Sequence, residues 1–198
     1  MNVVIIKYNA GNIFSVDNGL KRIGIEAEIT GDADKIRAAD KVIFPGVGEA
    51  STTMAYLHQS GLDKVIVDLR QPVFGICIGL QLMCAHSEEG NVDCLGIFEE
   101  RVKKFVPNNP ADKVPHMGWN TVQHNGNALF SGVSQEDYFY YVHSFFAEKG
   151  KNTIATTDYI QPYSAALQRD NFYAVQFHPE KSGAVGERIL KNFIELIN

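Results

Sequence analysis

The sequence has few cysteines, no long apolar run and no block of like charge. Its 198 residues include only Cys77, Cys84 and Cys94, and their spacing matches no metal-binding motif. A few unpatterned cysteines are typical of a protein of the reducing cytoplasm, so a cytoplasmic location is expected. No apolar run approaches the length of a transmembrane helix, and the first residues lack the basic region of a signal peptide. The sequence therefore predicts no membrane span and no export signal.

Charge is spread along the chain. Lys and Arg number 18 and Asp and Glu 23, which gives a formal net charge of -5. This balance argues against nucleic acid or an anionic membrane as a partner. The six histidines form no zinc motif, and no phosphate-binding P-loop is present, so neither a metal nor a cofactor is expected. The length and the 45% hydrophobic content predict a single globular domain over residues 1–198.

The order of apolar segments predicts the fold class. In the first half, strand patterns alternate with helix patterns, which is typical of a parallel sheet with helices on both faces. In the second half, short strands separated by turns predict antiparallel pairing, and a final helix is expected at residues 185–197. The prediction is an α/β protein with a mixed, largely parallel sheet flanked by helices and additional antiparallel strands. The predicted strands are residues 3–7, 26–30, 41–45, 96–106, 119–123, 138–143, 153–157, 165–169 and 173–177.

Residues 73–81 (VFGICIGLQ) contain the most informative motif. An apolar strand, a turn at Cys77 and the start of a helix form the cysteine version of a nucleophile elbow. Gly75 and Gly79 are expected where a Cβ atom would clash in this crowded turn. The N-terminus of the following helix would favour the thiolate form of the cysteine. The alternative is a buried structural cysteine in a strand-to-helix turn.

A cysteine nucleophile needs a base and a group that orients the base. Residues 177–180 (FHPE) follow an apolar strand, so His178 is expected at a strand end. In extended backbone, His178 and Glu180 project to the same side, and Pro179 stiffens the segment. Glu180 is therefore predicted to hold His178 as the base. The alternative is a surface histidine and glutamate in a loop.

Residues 45–48 (PGVG) follow the third predicted strand. In an open α/β sheet, ligands bind beyond the carboxyl ends of the strands, where the elbow strand also ends. Because glycines let backbone N–H groups approach a ligand, this turn is a candidate source of oxyanion-hole donors for Cys77. Taken alone, the motif fits an ordinary turn better than a donor site.

In this order along the chain, the motifs resemble those of class I (triad-type) glutamine amidotransferases. Within that class, the chain is similar to the glutaminase subunits of imidazole glycerol phosphate synthase over essentially all 198 residues. The resemblance implies a flavodoxin-like fold and a catalytic triad of Cys77, His178 and Glu180. The implied oxyanion hole consists of Gly46, Val47, Gly48 and Ile78. The implied glutamine-binding residues are Gly46, Gln81, Glu89, His143, Ser144 and Phe145.

Three further segments match the same subunits: residues 11–12, 115–120 (PHMGWN) and 181–182. The resemblance implies that they face a cyclase partner, a (β/α)₈ barrel, in a heterodimer. Without the resemblance, Met117 and Trp119 would be assigned to the core. The implied interface residues are Asn12, His116, Met117, Trp119, Asn120 and Lys181.

The implied reaction is hydrolysis of glutamine to glutamate and ammonia through a thioester on Cys77. The barrel would use the ammonia to make imidazole glycerol phosphate and aminoimidazole carboxamide ribonucleotide in L-histidine biosynthesis. One alternative is a paralogous subunit that serves another synthase, for example in surface-sugar biosynthesis. Another is a stand-alone cysteine hydrolase such as a γ-glutamyl peptidase, against which the intact segment 115–120 and Lys181 argue. A binding module with a decayed triad is the third, although all three triad residue types are present.

Overall fold

A computed structural model describes residues 1–9 and 13–197. The strands are β1 (Val3–Ile6), β2 (Ala27–Thr30), β3 (Lys41–Phe44), β4 (Val73–Ile76), β5 (His86–Ser87), β6 (Val92–Asp93), β7 (Arg101–Lys104), β8 (His116–Thr121), β9 (Gln123–His124), β10 (Tyr138–His143), β11 (Phe145–Ala147), β12 (Thr153–Tyr159), β13 (Gln161–Arg169) and β14 (Phe172–Val175). The α-helices are α1 (Ile13–Arg22), α2 (Ala33–Arg37), α3 (Ala50–Ser60), α4 (Leu62–Val67), α5 (Ile78–Met83) and α6 (Gly183–Leu196), and 3₁₀ turns lie at Ala128–Phe130 and Pro179–Lys181. Among these residues, no helix is both long and apolar enough to cross a membrane.

The main sheet has the strand order β2-β1-β3-β4-β14-β13-β12-β9. Its first part is parallel, from β2 through β14, and the strands from β14 to β9 are antiparallel. A two-stranded sheet pairs β8 with β10. A four-stranded sheet has the order β11-β7-β5-β6. This architecture confirms the predicted mixed, largely parallel α/β sheet with antiparallel strands in the second half.

Helices cover both faces of the parallel part because its strands are apolar on both sides. In β1, Val3 and Ile5 pack into one core with α1 and α6, while Val4 and Ile6 pack into the other with α2, α3, α4 and α5. All four of these side chains are buried. The sheet is packed on both faces, so the ends of its strands hold the segments that follow them in fixed positions.

The register brings three strand ends to one edge of the sheet. Phe44, the last residue of β3, lies beside Gly75 of β4, and Val175, the last residue of β14, lies beside Ile76. These three strands are parallel, so the segments that follow them emerge on the same side. The topology therefore places residues 45–48, 77–78 and 176–180 around one point.

One predicted strand was largely wrong. Residues 96–106 were expected to be extended, but only Arg101–Lys104 pairs as β7. Gly96 adopts a positive φ of 67°, and the backbone then bends through residues 97–99. Ile97 and Phe98 are nevertheless buried in the core that contains α3 and α5. The apolar pattern of these residues therefore indicates that they are buried, not that they pair in a strand.

Smaller differences concern element ends. Strand β14 ends at Val175 instead of residue 177. Strand β13 begins at Gln161, earlier than the predicted residue 165. The short strands β5, β6 and β11 were not predicted, because two or three residues are too few to show an alternating pattern.

Candidate active site

Cys77 occupies a strained turn between β4 and α5. Its backbone has φ 55° and ψ −107°, a conformation that non-glycine residues rarely adopt. Its N–H donates to the Val175 carbonyl at 2.8 Å, while its own carbonyl accepts from Leu80 N at 3.0 Å. These bonds hold the strain in place, as expected of a nucleophile elbow.

Glycine is required next to this turn because the chain is crowded there. A Cβ atom on Gly79 would lie 2.0 Å from the carbonyl oxygen of Phe44, and one on Gly75 would lie 3.1 Å from the sulfur of Met83. A Cβ atom on Gly46 would lie 2.0 Å from the Tyr8 hydroxyl and 2.4 Å from a methyl of Ile78. The close approach of residues 45–48 to the elbow therefore depends on Gly46 and Gly79.

Backbone N–H groups are available on both sides of Cys77. Within the described part of the chain, the N–H groups of Val47, Gly48 and Ile78 donate no hydrogen bond. Val47, Gly48 and Ile78 line the same small cavity as Cys77. An oxyanion hole requires such unpaired donors, fixed before the charge develops.

His178 and Glu180 form a buried pair in the segment that follows β14. Nδ1 of His178 lies 2.8 Å from Oε1 of Glu180, and both side chains are almost fully buried. Among the described residues, Nε2 of His178 makes no hydrogen bond of ordinary geometry. Burial opposes charge on the ring, but the negative charge of Cys77 and the hydrogen bond and charge of Glu180 raise the pKa of His178 to about 10. The charged form of His178, the imidazolium, is thus stabilised beside the sulfur of Cys77.

The predicted glutamine-binding residues converge on the cavity beside Cys77, which has a volume of about 100 Å³. It is lined by Val47, Gly48, Cys77, Ile78, Gln81, Glu89, Val142, His143, Ser144 and Phe145. Gly46 lies behind this lining, packed against Tyr8 and Ile78. Three of the four predicted glutamine-binding segments, at Gln81, Glu89 and residues 143–145, therefore line one pocket.

Within this pocket the polar side chains are already engaged. Nε2 of Gln81 donates to the Phe145 carbonyl at 2.8 Å. Oε2 of Glu89 accepts from Ala50 N at 2.9 Å, while burial raises the pKa of Glu89. Nδ1 of His143 lies 2.7 Å from the Phe145 carbonyl, and burial lowers the pKa of His143 to about 3. His143 is therefore a neutral donor, since a carbonyl oxygen can only accept.

Three residues around the site were not predicted. Gln176 is fully buried and its Nε2 lies 3.7 Å from Sγ of Cys77. The Tyr8 hydroxyl donates to the Pro45 carbonyl at 2.5 Å, and the Tyr163 hydroxyl lies 3.2 Å from Nε2 of His143. Only Gln176 had a visible signal, as a polar residue inside the apolar segment 173–177, two positions before His178.

The predicted partner-facing residues are divided between surface and interior. Met117 and Trp119 are 67% and 55% exposed, so the alternative that they belong to the core is wrong. Lys181 is exposed and Asn120 is half-buried. His116 is buried beneath this surface, stacked on Tyr141 and Tyr159. Asn12 lies outside the described residues.

A family model for class-I glutamine amidotransferases matches residues 4–196. This chain belongs to the class-I glutamine amidotransferase family. It is 62% identical over 196 residues to a protein of Bacteroides thetaiotaomicron named imidazole glycerol phosphate synthase subunit HisH, covering 99% of this chain and 100% of that protein. The protein of the same name from Escherichia coli is 46% identical, with coverage of 99% and 100%.

Solved structures support the same fold. A putative GMP synthase component from Thermoplasma acidophilum superimposes with a TM-score of 0.76, at 22% identity, over 100% of this chain and 94% of that one. A structure described as glutamine amidotransferase gives a TM-score of 0.74 at 19% identity, over 100% and 99% of the two chains. At this identity the likeness shows the amidotransferase fold and nothing about substrate or partner.

Proposed function

We propose that this amidotransferase is the glutaminase subunit of an imidazole glycerol phosphate synthase. Relatives with that name match the chain from end to end, which supports a single amidotransferase domain over residues 1–198. The observation that carries the chemistry is the buried His178–Glu180 pair directed at Cys77, which is held in a strained turn. Cys77, His178 and Glu180 would act as nucleophile, acid–base group and orienting group.

In the first step, the Cys77 thiolate attacks the carboxamide carbon of glutamine and forms a C–S bond. N–H groups of Val47 and Ile78 would stabilise the negative oxygen of the tetrahedral intermediate. The C–N bond then breaks, and the His178 imidazolium gives its proton to the departing nitrogen. The products are free ammonia, a γ-glutamyl thioester on Cys77 and a neutral imidazole.

In the second step, neutral His178 removes a proton from water as the water oxygen attacks the thioester carbon. The C–S bond breaks, which leaves a neutral side-chain carboxyl on the product and restores the Cys77 thiolate beside the His178 imidazolium. The carboxyl loses its proton to solvent as glutamate leaves. Glu180 stabilises the charged ring in both resting and product states through its bond to Nδ1. Proton and charge therefore return to their starting positions after each turnover.

Substrate would be held by the remaining lining of the cavity. Residues 143–145 join the end of β10 to the start of β11, and the backbone there would bind the amino-acid end of glutamine. Gln81 and Glu89 line the same pocket and would contact the substrate. Their positions are set by the bonds to Phe145 and Ala50.

The ammonia would pass to a cyclase partner with a (β/α)₈ barrel fold, which makes imidazole glycerol phosphate and aminoimidazole carboxamide ribonucleotide in L-histidine biosynthesis. The exposed apolar side chains Met117 and Trp119, with Lys181 close to the triad in sequence, support a docking surface here. A closed interface would keep water from protonating the ammonia. Three free cysteines fit the cytoplasm as the location.

The test measures glutamate release by the chain alone and with an equimolar cyclase barrel and its nucleotide ligand. Strong activation by the barrel is expected, and Cys77→Ala should abolish turnover while the heterodimer still assembles. High activity of the chain alone would instead support an independent hydrolase. No activity in either mixture would indicate a different synthase partner, and turnover by Cys77→Ala would contradict the assigned nucleophile.

A further inference from the structure

Gln176 lies just after β14 and links the nucleophile to the substrate pocket. Its side chain is fully buried, its Nε2 lies 3.7 Å from Sγ of Cys77, and its Oε1 accepts from Nε2 of Gln81 at 3.0 Å. The mechanism proposed above uses neither end of this amide. A buried amide group that touches a nucleophilic sulfur requires a functional explanation.

The orientation of this amide is fixed by a backbone carbonyl. The side chain of Gln81 contacts the Phe145 carbonyl at 2.8 Å, and a carbonyl oxygen can only accept, so the atom there must be the NH₂ group of Gln81. The same NH₂ group faces Gln176, which must therefore present its oxygen. The NH₂ group of Gln176 is then left pointing at Cys77. The chain of contacts thus leaves one consistent orientation.

We propose that Gln176 is a positioning residue for the nucleophile: its amide, oriented by Gln81, holds an N–H donor against the sulfur of Cys77. The inference depends on the proposed role of Cys77 as nucleophile. An N–H group stabilises a thiolate more than a thiol, because the charged form is the stronger acceptor. Gln176 therefore favours the reactive form of Cys77 without contacting substrate.

Other groups also act on Cys77 and must stay unchanged in the test. The His178 imidazolium attracts the thiolate, and Glu180 supports that ring. The Tyr8 and Tyr163 hydroxyls also interact electrostatically with Cys77. Burial raises the pKa values of both hydroxyls, so both stay protonated. Glu89 and His143 face Cys77 across the pocket. None of these residues needs to be altered to test Gln176.

The experiment measures the rate at which iodoacetamide alkylates Cys77 in the full chain as a function of pH, with the modified peptide quantified by mass spectrometry. Gln176→Met keeps the volume but removes the donor, so the apparent pKa for alkylation should rise by about one unit. Gln176→Glu should raise it further, because a carboxylate oxygen would face the sulfur. Gln81→Met frees the amide of Gln176 to rotate. This variant should raise the apparent pKa for alkylation less than Gln176→Met does.

Gln168→Met is the matched control, since Gln168 lies on β13, does not line the Cys77 cavity, and donates its amide N–H to the carbonyl of Asp170 just after that strand. Its alkylation profile should coincide with that of the unaltered chain. If Gln176→Met and Gln81→Met also coincide with it, the inference is overturned while the nucleophile assignment stands. If Cys77 is not the preferred alkylation site in the unaltered chain, the proposed function fails with it. Where Gln176→Glu does not fold, the two methionine variants decide the question.

Discussion

The two sides of Cys77 are built in different ways. On one side, residues 45–48 and α5 form the site from backbone, and glycines allow contacts that a Cβ atom would block at 2.0 Å. On the other side, β8, β10, β13 and the segment that follows β14 supply buried polar side chains. There, Tyr163 contacts both His116 and His143, and His116 stacks between Tyr141 and Tyr159.

This difference between the two sides of Cys77 explains why only one of them leaves a recognisable sequence motif. On the backbone side, only glycine fits at Gly46 and Gly79, so the chemistry leaves a recognisable pattern of residues. On the side-chain side, ordinary strand residues create the site through hydrogen bonds between distant segments. Such a network is sensitive to protonation rather than to steric fit. The two sides should therefore respond to different perturbations.

The largest effect is expected from Gly79→Ala on the backbone side. The new methyl group would lie 2.0 Å from the Phe44 carbonyl oxygen, and backbone on both sides cannot move away easily. We expect a loss of at least about 3 kcal/mol in the free energy of unfolding, measured by urea denaturation. Glutaminase activity should fall with it, because β3 and the elbow would separate.

Gly126→Ala is the control for this substitution. Gly126 has a φ of 83° but no atom within 4 Å of its added Cβ, so only backbone strain is introduced. That strain should reduce stability by about 1 kcal/mol. Equal losses at the two positions would mean that the contact between β3 and the elbow is looser than the structure indicates.

This contrast explains how much the sequence could predict. The α/β alternation, the elbow at Cys77 and the pairing of His178 with Glu180 were all visible because each depends on local pattern. Gln176 and Tyr163 were missed because their importance arises from contacts with residues far along the chain. The over-long strand at residues 96–106 had the same origin, since burial of Phe98 depends on the tertiary core rather than on pairing.

The side-chain side should be sensitive to acid. Burial lowers the pKa of His116 to about 4 and that of His143 to about 3, below the value of about 6.5 expected in the unfolded chain. The unfolded state therefore binds more protons below pH 6.5, and folding stability decreases as pH falls from about 6.5 toward 4. Each histidine contributes a slope of about 1.4 kcal/mol per pH unit within this window.

His116→Phe tests this explanation, because phenylalanine retains the stacking between Tyr141 and Tyr159 but cannot take up a proton. Urea denaturation at several pH values should show a shallower decrease in stability than for the unaltered chain. Phe14→Leu, which changes an exposed side chain of α1 that carries no titratable group, should leave the slope unchanged. Identical slopes for all three proteins would assign the acid sensitivity to other groups.

The smallest effect is expected from Tyr8→Phe, which tests a side chain that holds the backbone side in place by a hydrogen bond. The Tyr8 hydroxyl donates to the Pro45 carbonyl at 2.5 Å, and burial raises its pKa, so it remains a donor. Its loss should lower stability by about 1 kcal/mol and reduce kcat of the heterodimer several-fold, because residues 46–48 lose an anchor. Tyr159→Phe removes a comparable bond, to the Lys113 carbonyl at 2.7 Å, and should change stability but not kcat. If kcat is unchanged in both variants, glycine packing alone positions the oxyanion donors, and the division between the two sides of Cys77 is sharper than Tyr8 implies.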